Sequence, residues 1–170
     1  SAVDQSHYEL HRFAIDDYIL AVVNTLLPFC KQYQVQIELA LHSGVTLSSY
    51  PGAIAQVLTN LITNACIHAF DGLAADKVPL VVIETEALAA ERVQIRVTDN
   101  GCGIPKDAQQ RIFEPFFTTR RGRGGTGLGL SIVYNIVQKN LQGEISVASK
   151  PGIGTRFSVR LDDLAIPVAE

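Results

Sequence analysis

Between Gly122 and Leu130 five of nine residues are glycine, and the run passes without a break into apolar residues at Leu128, Ile132, Val133, Ile136 and Val137, the spacing of a buried helix face. Glycine loses more conformational freedom on ordering than any other residue, so the run is read as loop rather than as the interior of a helix or strand. That loop must end at a helix N-terminus, where backbone N–H groups lack partners and the helix dipole is positive. Two readings stay open at this point: a flexible linker, or a cradle letting the backbone approach a phosphate chain. A Walker loop is excluded, because no Lys-Ser/Thr follows the glycines.

The rest of the chain supplies the other layer. Ile15, Tyr18, Ile19, Val22, Val23, Leu26 and Leu27 recur at helical spacing, with Asp16 and Asp17 favourable in the first turn. A second helix is expected over 51–69, with Pro51 at its start and Ile54, Leu58, Leu61, Ile62 and Ala65 on one stripe. Alternation predicts strands over 35–41, 80–86 and 93–98, and a closing pair, 145–147 and 157–161, about Pro151-Gly152. Residues 44–52 read as loop, 105–112 as a short helix, and 118–126 as a loop almost without apolar residues. The fold class expected is an α/β two-layer sandwich, a mixed and mostly antiparallel sheet covered by three helices on one face. The domain is expected over 1–163, with an irregular tail over 164–170.

Composition narrows the function classes. With 170 residues, 47% hydrophobic and 18% charged, the chain suits one globular domain and excludes disorder. A net charge of −3 provides no overall positive field for nucleic acid. No apolar run approaches the roughly 20 residues of a membrane span, and the first thirty residues are broken by His7, Glu9, Arg12, Asp16 and Asp17. Cys30, Cys66 and Cys102 have no metal-ligand spacing, so a reducing, cytoplasmic setting is expected. With no methionine, the chain is expected to be a piece of a longer protein.

Three further patterns bear on chemistry. Asp99-Asn-Gly-Cys-Gly-Ile104 follows a strand; it reads either as a simple turn or as a carboxylate accepting a hydrogen bond from an amino group such as adenine's. Asn60, Asn64 and His68 are spaced i, i+4, i+8, so they share a helix edge that is either solvated or, through amide oxygen, a magnesium ligand. Arg120, Arg121 and Arg123 form either a solvated basic loop or a set of phosphate contacts.

Taken in order, these pieces strongly resemble the ATP-binding catalytic domain of sensor histidine kinases, within the superfamily that includes gyrase, the Hsp90 chaperones and MutL. Asn60-Leu-Ile-Thr-Asn64-Ala65 is similar to the N box, Asp99-x-Gly101-x-Gly103 to the G1 box, and Arg111-Ile-Phe-Glu-Pro-Phe-Phe-Thr-Thr119 to the F box. Gly125-Thr-Gly-Leu-Gly-Leu130 is similar to the G2 box, and Gly152-x-Gly154-Thr155 to the final glycine-threonine element. The resemblance implies a Bergerat-type ATP-binding fold. It also implies that Asp99 binds the adenine amine, with Thr155 nearby through water, and that Asn64 coordinates magnesium bridging the phosphates. Ile104, Ile112 and Phe117 would line the adenine and ribose pocket. Gly125, Thr126, Gly127, Leu128, Gly129 and Leu130 would wrap the phosphates, and 118–124 would form the ATP lid carrying Arg120 and Arg121. Asn60, Gly101 and Gly103 complete the implied site.

Two departures from the family pattern matter. Ile67 stands where many histidine kinases carry a basic residue, and His68, next to it, is expected to contact nucleotide rather than to accept phosphate. Asn60 stands where gyrase-like ATPases and related serine kinases carry a general-base glutamate, and an amide cannot take that proton at neutral pH. A histidine acceptor, often already neutral, needs less help. His7 and His11 lack the setting of a phosphoacceptor, and His42 ends a strand at the surface. The acceptor is therefore expected on a separate dimerisation domain, just upstream of this chain in the parent protein.

The function expected is a protein-histidine kinase domain of a two-component system that binds Mg-ATP, donates its γ-phosphate and leaves ADP. The expected partners are the dimerisation/phosphoacceptor domain of the same parent and a response regulator receiver domain, with no nucleic acid. The piece is expected to be monomeric and the parent homodimeric, whether or not anchored in the inner membrane. An ATP hydrolase or serine kinase of the same fold, or a nucleotide-binding module without transfer activity, are the alternatives.

Overall fold

A computed structural model describes residues 8–117 and 129–165. The chain runs β1 (His11–Ala14), α1 (Ile15–Gln32), β2 (Gln36–Leu41), β3 (Thr46–Ser49) and α2 (Pro51–Asn64). It continues through β4 (Leu80–Ala89), β5 (Arg92–Asp99), α3 (Lys106–Gln109), α4 (Gly129–Asn135), β6 (Glu144–Lys150) and β7 (Gly154–Asp162). π-helical turns extend α2 over Ala65–Ala69 and α4 over Ile136–Asn140.

The main sheet has the order β2-β4-β5-β7-β6, with β2 and β4 parallel and every other pair antiparallel. One face is apolar by alternation: Val81 and Ile83, Val93, Ile95 and Val97, and Phe157, Val159 and Leu161 are all buried. On that face α2 lies between α1 and α4, contributing Ile54, Leu58, Leu61 and Ile62 to a core shared with Ile19, Val23, Ile136 and Leu141. The opposite face is polar, with Arg96 bridging Glu84 at 3.6 Å and Glu86 at 2.8 Å. The two-layer sandwich is thus the architecture expected, and no described helix is long and apolar enough to cross a membrane.

Four local expectations change. Residues 44–52 were expected as loop, yet Thr46–Ser49 forms β3 and pairs antiparallel with β1, Arg12 opposite Ser48 and Phe13 opposite Leu47. Only Leu47 in β3 is a large apolar residue, so no alternation marks the strand; its partner, more than thirty residues away, makes it. α1 does not stop at Leu27 but runs through Pro28 to Gln32, because Cys30, 2% exposed, belongs to the core. α2 loses α geometry at Asn64, and the wider π turn carries it to Ala69. Residues 163–165, beyond the last strand, are irregular but tied down, with Leu164 N–H donating to Ser48 O at 2.8 Å, and 166–170 lie outside the described residues.

The N-terminus of α1 is held by a polar knot. Asp16 accepts hydrogen bonds from Ser43 Oγ at 2.6 Å, Thr85 Oγ1 at 2.7 Å and Gly44 N–H at 3.0 Å, so one carboxylate joins helix, loop and β4. Burial pushes its pKa up, but the donors from Ser43, Thr85 and Gly44 outweigh burial and hold it below the ordinary value.

Candidate functional site

The alternation that builds the core also builds the site. Val93, Ile95 and Val97 point inward from β5, and the next inward position is Asp99, a carboxylate only 9% exposed. It lines a cleft of about 340 Å³ between α2, its π turn, the ends of β5 and β7, and the start of α4. Gly101 N–H donates to Asp99 Oδ1 at 2.9 Å, and the backbone N–H of Thr155, its cross-strand partner, also donates to the carboxylate. Burial nevertheless dominates and pushes the Asp99 pKa up.

The walls beside Asp99 are apolar. Val97, Ile104, Ile112, Phe117 and Phe157 line the cleft, a surface suited to a flat heterocycle with one polar edge. The segment carrying Ile112 and Phe117 is fixed by Phe113, whose ring lies 5.4 Å from Tyr134 and 6.2 Å from Phe157, and by Arg111 stacked 4.9 Å above the Phe117 ring. α2 supplies a polar side. Asn60 and Asn64, one turn apart, and His68 on the π turn all reach the same cleft, with Ile67 beside them. Gly129 and Leu130, at the start of α4, border it as well.

The sequence-predicted site residues therefore divide into three groups. Asn60, Asn64, His68, Asp99, Gly103, Ile104, Ile112, Phe117, Gly129, Leu130 and Thr155 share the cleft. Gly101 stands behind its wall: a Cβ there would lie 2.1 Å from Ala69 O, the carbonyl to which Cys102 N–H donates at 2.8 Å. The glycine thus lets the loop after β5 close against the end of α2. Arg120, Arg121, Gly125, Thr126, Gly127 and Leu128, with the rest of 118–124, lie outside the described residues.

Sequence reasoning passed over Ser149 and Gln109, which support the wall. Ile104 N–H donates to Ser149 Oγ at 2.8 Å, and Gln109 Nε2 donates to Ile104 O at 2.9 Å and Ser149 O at 3.0 Å. Counting back from the Pro151-Gly152 turn sets Ser149 opposite Thr155, and that signal was available. Two further points bear on chemistry. Asp99 is the sole carboxylate among the described lining residues. No group of three His, Cys, Asp or Glu among the described residues could hold a metal, so a cation here would depend on amide oxygen and on a ligand's own oxygens.

The sequence matches the family described as histidine kinase-, DNA gyrase B-, and HSP90-like ATPase over residues 50–165. It is 34% identical over 171 residues to the autoinducer 2 sensor kinase/phosphatase LuxQ of Vibrio cholerae, covering 95% of this chain and 19% of that protein. The chain thus spans about a fifth of that relative. Among solved structures, the catalytic domain of histidine kinase ThkA superposes with a TM-score of 0.75 at 24% identity, covering 91% of this chain and 96% of that one. ThkA has also been solved in complex with the response regulator protein TrrA. Full-length ShkA in complex with AMPPNP matches with a TM-score of 0.75 at 26% identity, covering 94% of this chain and 33% of that one.

Proposed function

The chain belongs to the family of histidine kinase-, DNA gyrase B- and HSP90-like ATPases, as an ATP-binding domain of the sensor histidine kinase kind, and from that premise we propose that it holds Mg-ATP and presents the γ-phosphate to a histidine on a separate dimerisation domain. Asp99 accepts from the adenine amino group, Ile104, Ile112 and Phe117 flank the ring, and Thr155 stands beside the carboxylate. Asn64 is the residue to hold magnesium, with Asn60 and His68 along the same edge. Its amide oxygen is a hard ligand, suited to a cation that takes few protein ligands and keeps its bonds to phosphate. When bound, magnesium supplies neutralisation of phosphate charge. The parts assigned to Arg120, Arg121 and Gly125 to Leu128 rest on the sequence alone.

The observation that carries the reading is the chemistry of the cleft: a buried carboxylate among apolar walls, amides supplied by α2, and no second carboxylate among the described lining residues. Asp99 is engaged by two backbone N–H groups at the adenine end. Asn60 stands where gyrase-like ATPases and related serine kinases carry their general-base glutamate and cannot serve as that base, which disfavours the hydrolase and serine-kinase readings. A neutral imidazole brings its own lone pair, and positioning with charge neutralisation supplies the rate. The acceptor domain and a response regulator receiver domain are the partners proposed.

The test is calorimetry of ATP with and without magnesium on this chain and on Asn64→Ala, followed by transfer to a supplied helical acceptor domain. The expected result is binding that magnesium strengthens and the substitution weakens, and an acid-labile phosphohistidine on the acceptor. Absence of binding, or turnover of ATP without any phosphohistidine, would overturn the proposal.

A further inference from the structure

Behind the Asp99 end of the cleft the hydrogen bonds of one hydroxyl group determine one another. Ser149 Oγ lies 2.8 Å from Ile104 N, 3.0 Å from Gly154 O and 2.7 Å from Thr155 Oγ1. A serine hydroxyl has one hydrogen and two lone pairs. The Ile104 N–H can only donate, which occupies one lone pair; the Gly154 carbonyl can only accept, which takes the single hydrogen. The remaining contact forms a bond only if the Thr155 hydroxyl donates to the second lone pair. With its hydrogen turned away toward Ser149, Thr155 Oγ1 offers the cleft lone pairs alone. Asp99, its cross-strand partner, also acts there as an acceptor.

Two acceptors side by side match an exocyclic amino group, which carries two N–H donors on one nitrogen and can reach them directly or through one water. A ring carbonyl in the same place brings only lone pairs and leaves buried polar groups opposed, the situation by which sites reject near-isosteric ligands. We propose that Ser149 is a positioning residue that locks the Thr155 hydroxyl as an acceptor and thereby sets the cleft against purine nucleotides bearing a carbonyl where adenine bears its amino group. The inference rests on the ATP-site reading above and adds to it the residue that enforces the choice of base. Ser149 acts through Thr155, since its own side chain does not line the cleft.

The experiment compares ATP with inosine triphosphate, both as magnesium salts, by calorimetry on the chain, on Ser149→Ala, Ser149→Thr and Thr155→Val, and on the double variant Ser149→Ala/Thr155→Val. The unsubstituted chain is expected to prefer ATP. Ser149→Ala frees the Thr155 hydroxyl to rotate and donate to a carbonyl, so the preference narrows about tenfold, the scale of one buried hydrogen bond. Ser149→Thr restores the hydroxyl and with it the preference, a rescue that general loosening of β6 would not give. Thr155→Val narrows the preference by itself, and adding Ser149→Ala to it changes the preference no further. An unchanged preference in folded Ser149→Ala overturns the proposal, as does equal binding of both nucleotides by the unsubstituted chain. Undiminished preference in Thr155→Val overturns it even if Ser149→Ala fails to fold. A chain that binds neither nucleotide overturns the ATP-site reading and this inference together, whereas ATP binding with a preference insensitive to these variants overturns this inference alone.

Discussion

Asp99→Asn should weaken Mg-ATP binding while leaving the ligand-free domain at least as stable. The carboxylate is 9% exposed, and burial raises its pKa against the opposing pull of the Gly101 and Thr155 N–H groups. A folded-state pKa above the ordinary 3.8 means that the folded chain holds this proton more tightly than the unfolded one. Its contribution to stability is fully present below pH 3.8 and is lost as pH rises through the folded value. At neutral pH the ionised group therefore costs about 1.4 kcal/mol for each unit of upward shift. Asparagine has no such cost, and its Oδ1 can still accept from Gly101 N–H. Its Nδ2, however, turns a donor toward the cleft where the adenine amino group needs an acceptor. Losing a charge-assisted hydrogen bond of about 1.5–3 kcal/mol predicts binding roughly 10- to 150-fold weaker. Calorimetry with Mg-ATP reads the second effect, and thermal melts of the ligand-free domain across pH read the first. The variant's melting advantage should shrink as pH falls toward 3.8. Unaltered affinity, or a melting temperature several degrees lower at every pH, would refute the reasoning, because Asp99 would then be a structural acceptor and nothing more.

Three further outcomes follow from particular contacts. Gly101→Ala sets a Cβ 2.1 Å from Ala69 O, so backbone must move; at about 1–3 kcal/mol for overpacking, the melting temperature should fall by roughly 2–12 °C, and an unchanged melt would contradict the close approach of this loop to the end of α2. Thiol titration of the native domain with an aromatic disulfide reagent should count one fast group, the exposed Cys102, because Cys30 and Cys66 are buried 3.7 Å apart and the Cys66 thiol is pushed up to about 12, chiefly by burial. Three fast thiols would be incompatible with that core. Asp16→Asn leaves one acceptor for three donors and should cost about 1 kcal/mol at neutral pH, allowing for solvent screening of a half-exposed group. Because the folded pKa lies below 3.8, the charge-dependent part is present above that pH and disappears as pH falls through the folded value, so melts of the two proteins should converge in acid.

How much could be read before the fold was known depended on whether the information was periodic and local. α1, α2 and α4 and strands β4, β5 and β7 carry their burial in their own spacing, so Ile54, Leu58, Leu61 and Ile62, or Val93, Ile95 and Val97, declare a face without reference to any partner. The boundaries were less legible, since the apolar spacing of α1 is clear only as far as Leu27, whereas the burial of Cys30 carries the helix through Pro28 to Gln32. β1 and β3 were not legible at all. Their four-residue segments have no alternation, and pairing across more than thirty residues is what makes them strands.

The same division holds at the site. The sequence by itself determined which groups could act, because Asp99, Asn60, Asn64, His68 and the glycines are chemistry that spacing and motif make visible. Only the tertiary structure decided how they stand to one another. Asp99 becomes a buried acceptor because β5 alternation turns it inward and β7 sets Thr155 against it. Gly101 proves to be a packing necessity because a Cβ there would lie 2.1 Å from Ala69 O, and Ser149 gains a part because the β6–β7 register places its hydroxyl 2.7 Å from that of Thr155. Residue type and period are properties of a segment, whereas burial, hydrogen-bond direction and close approach are properties of pairs distant in the chain, and those exist only once the sheet has closed over its helices.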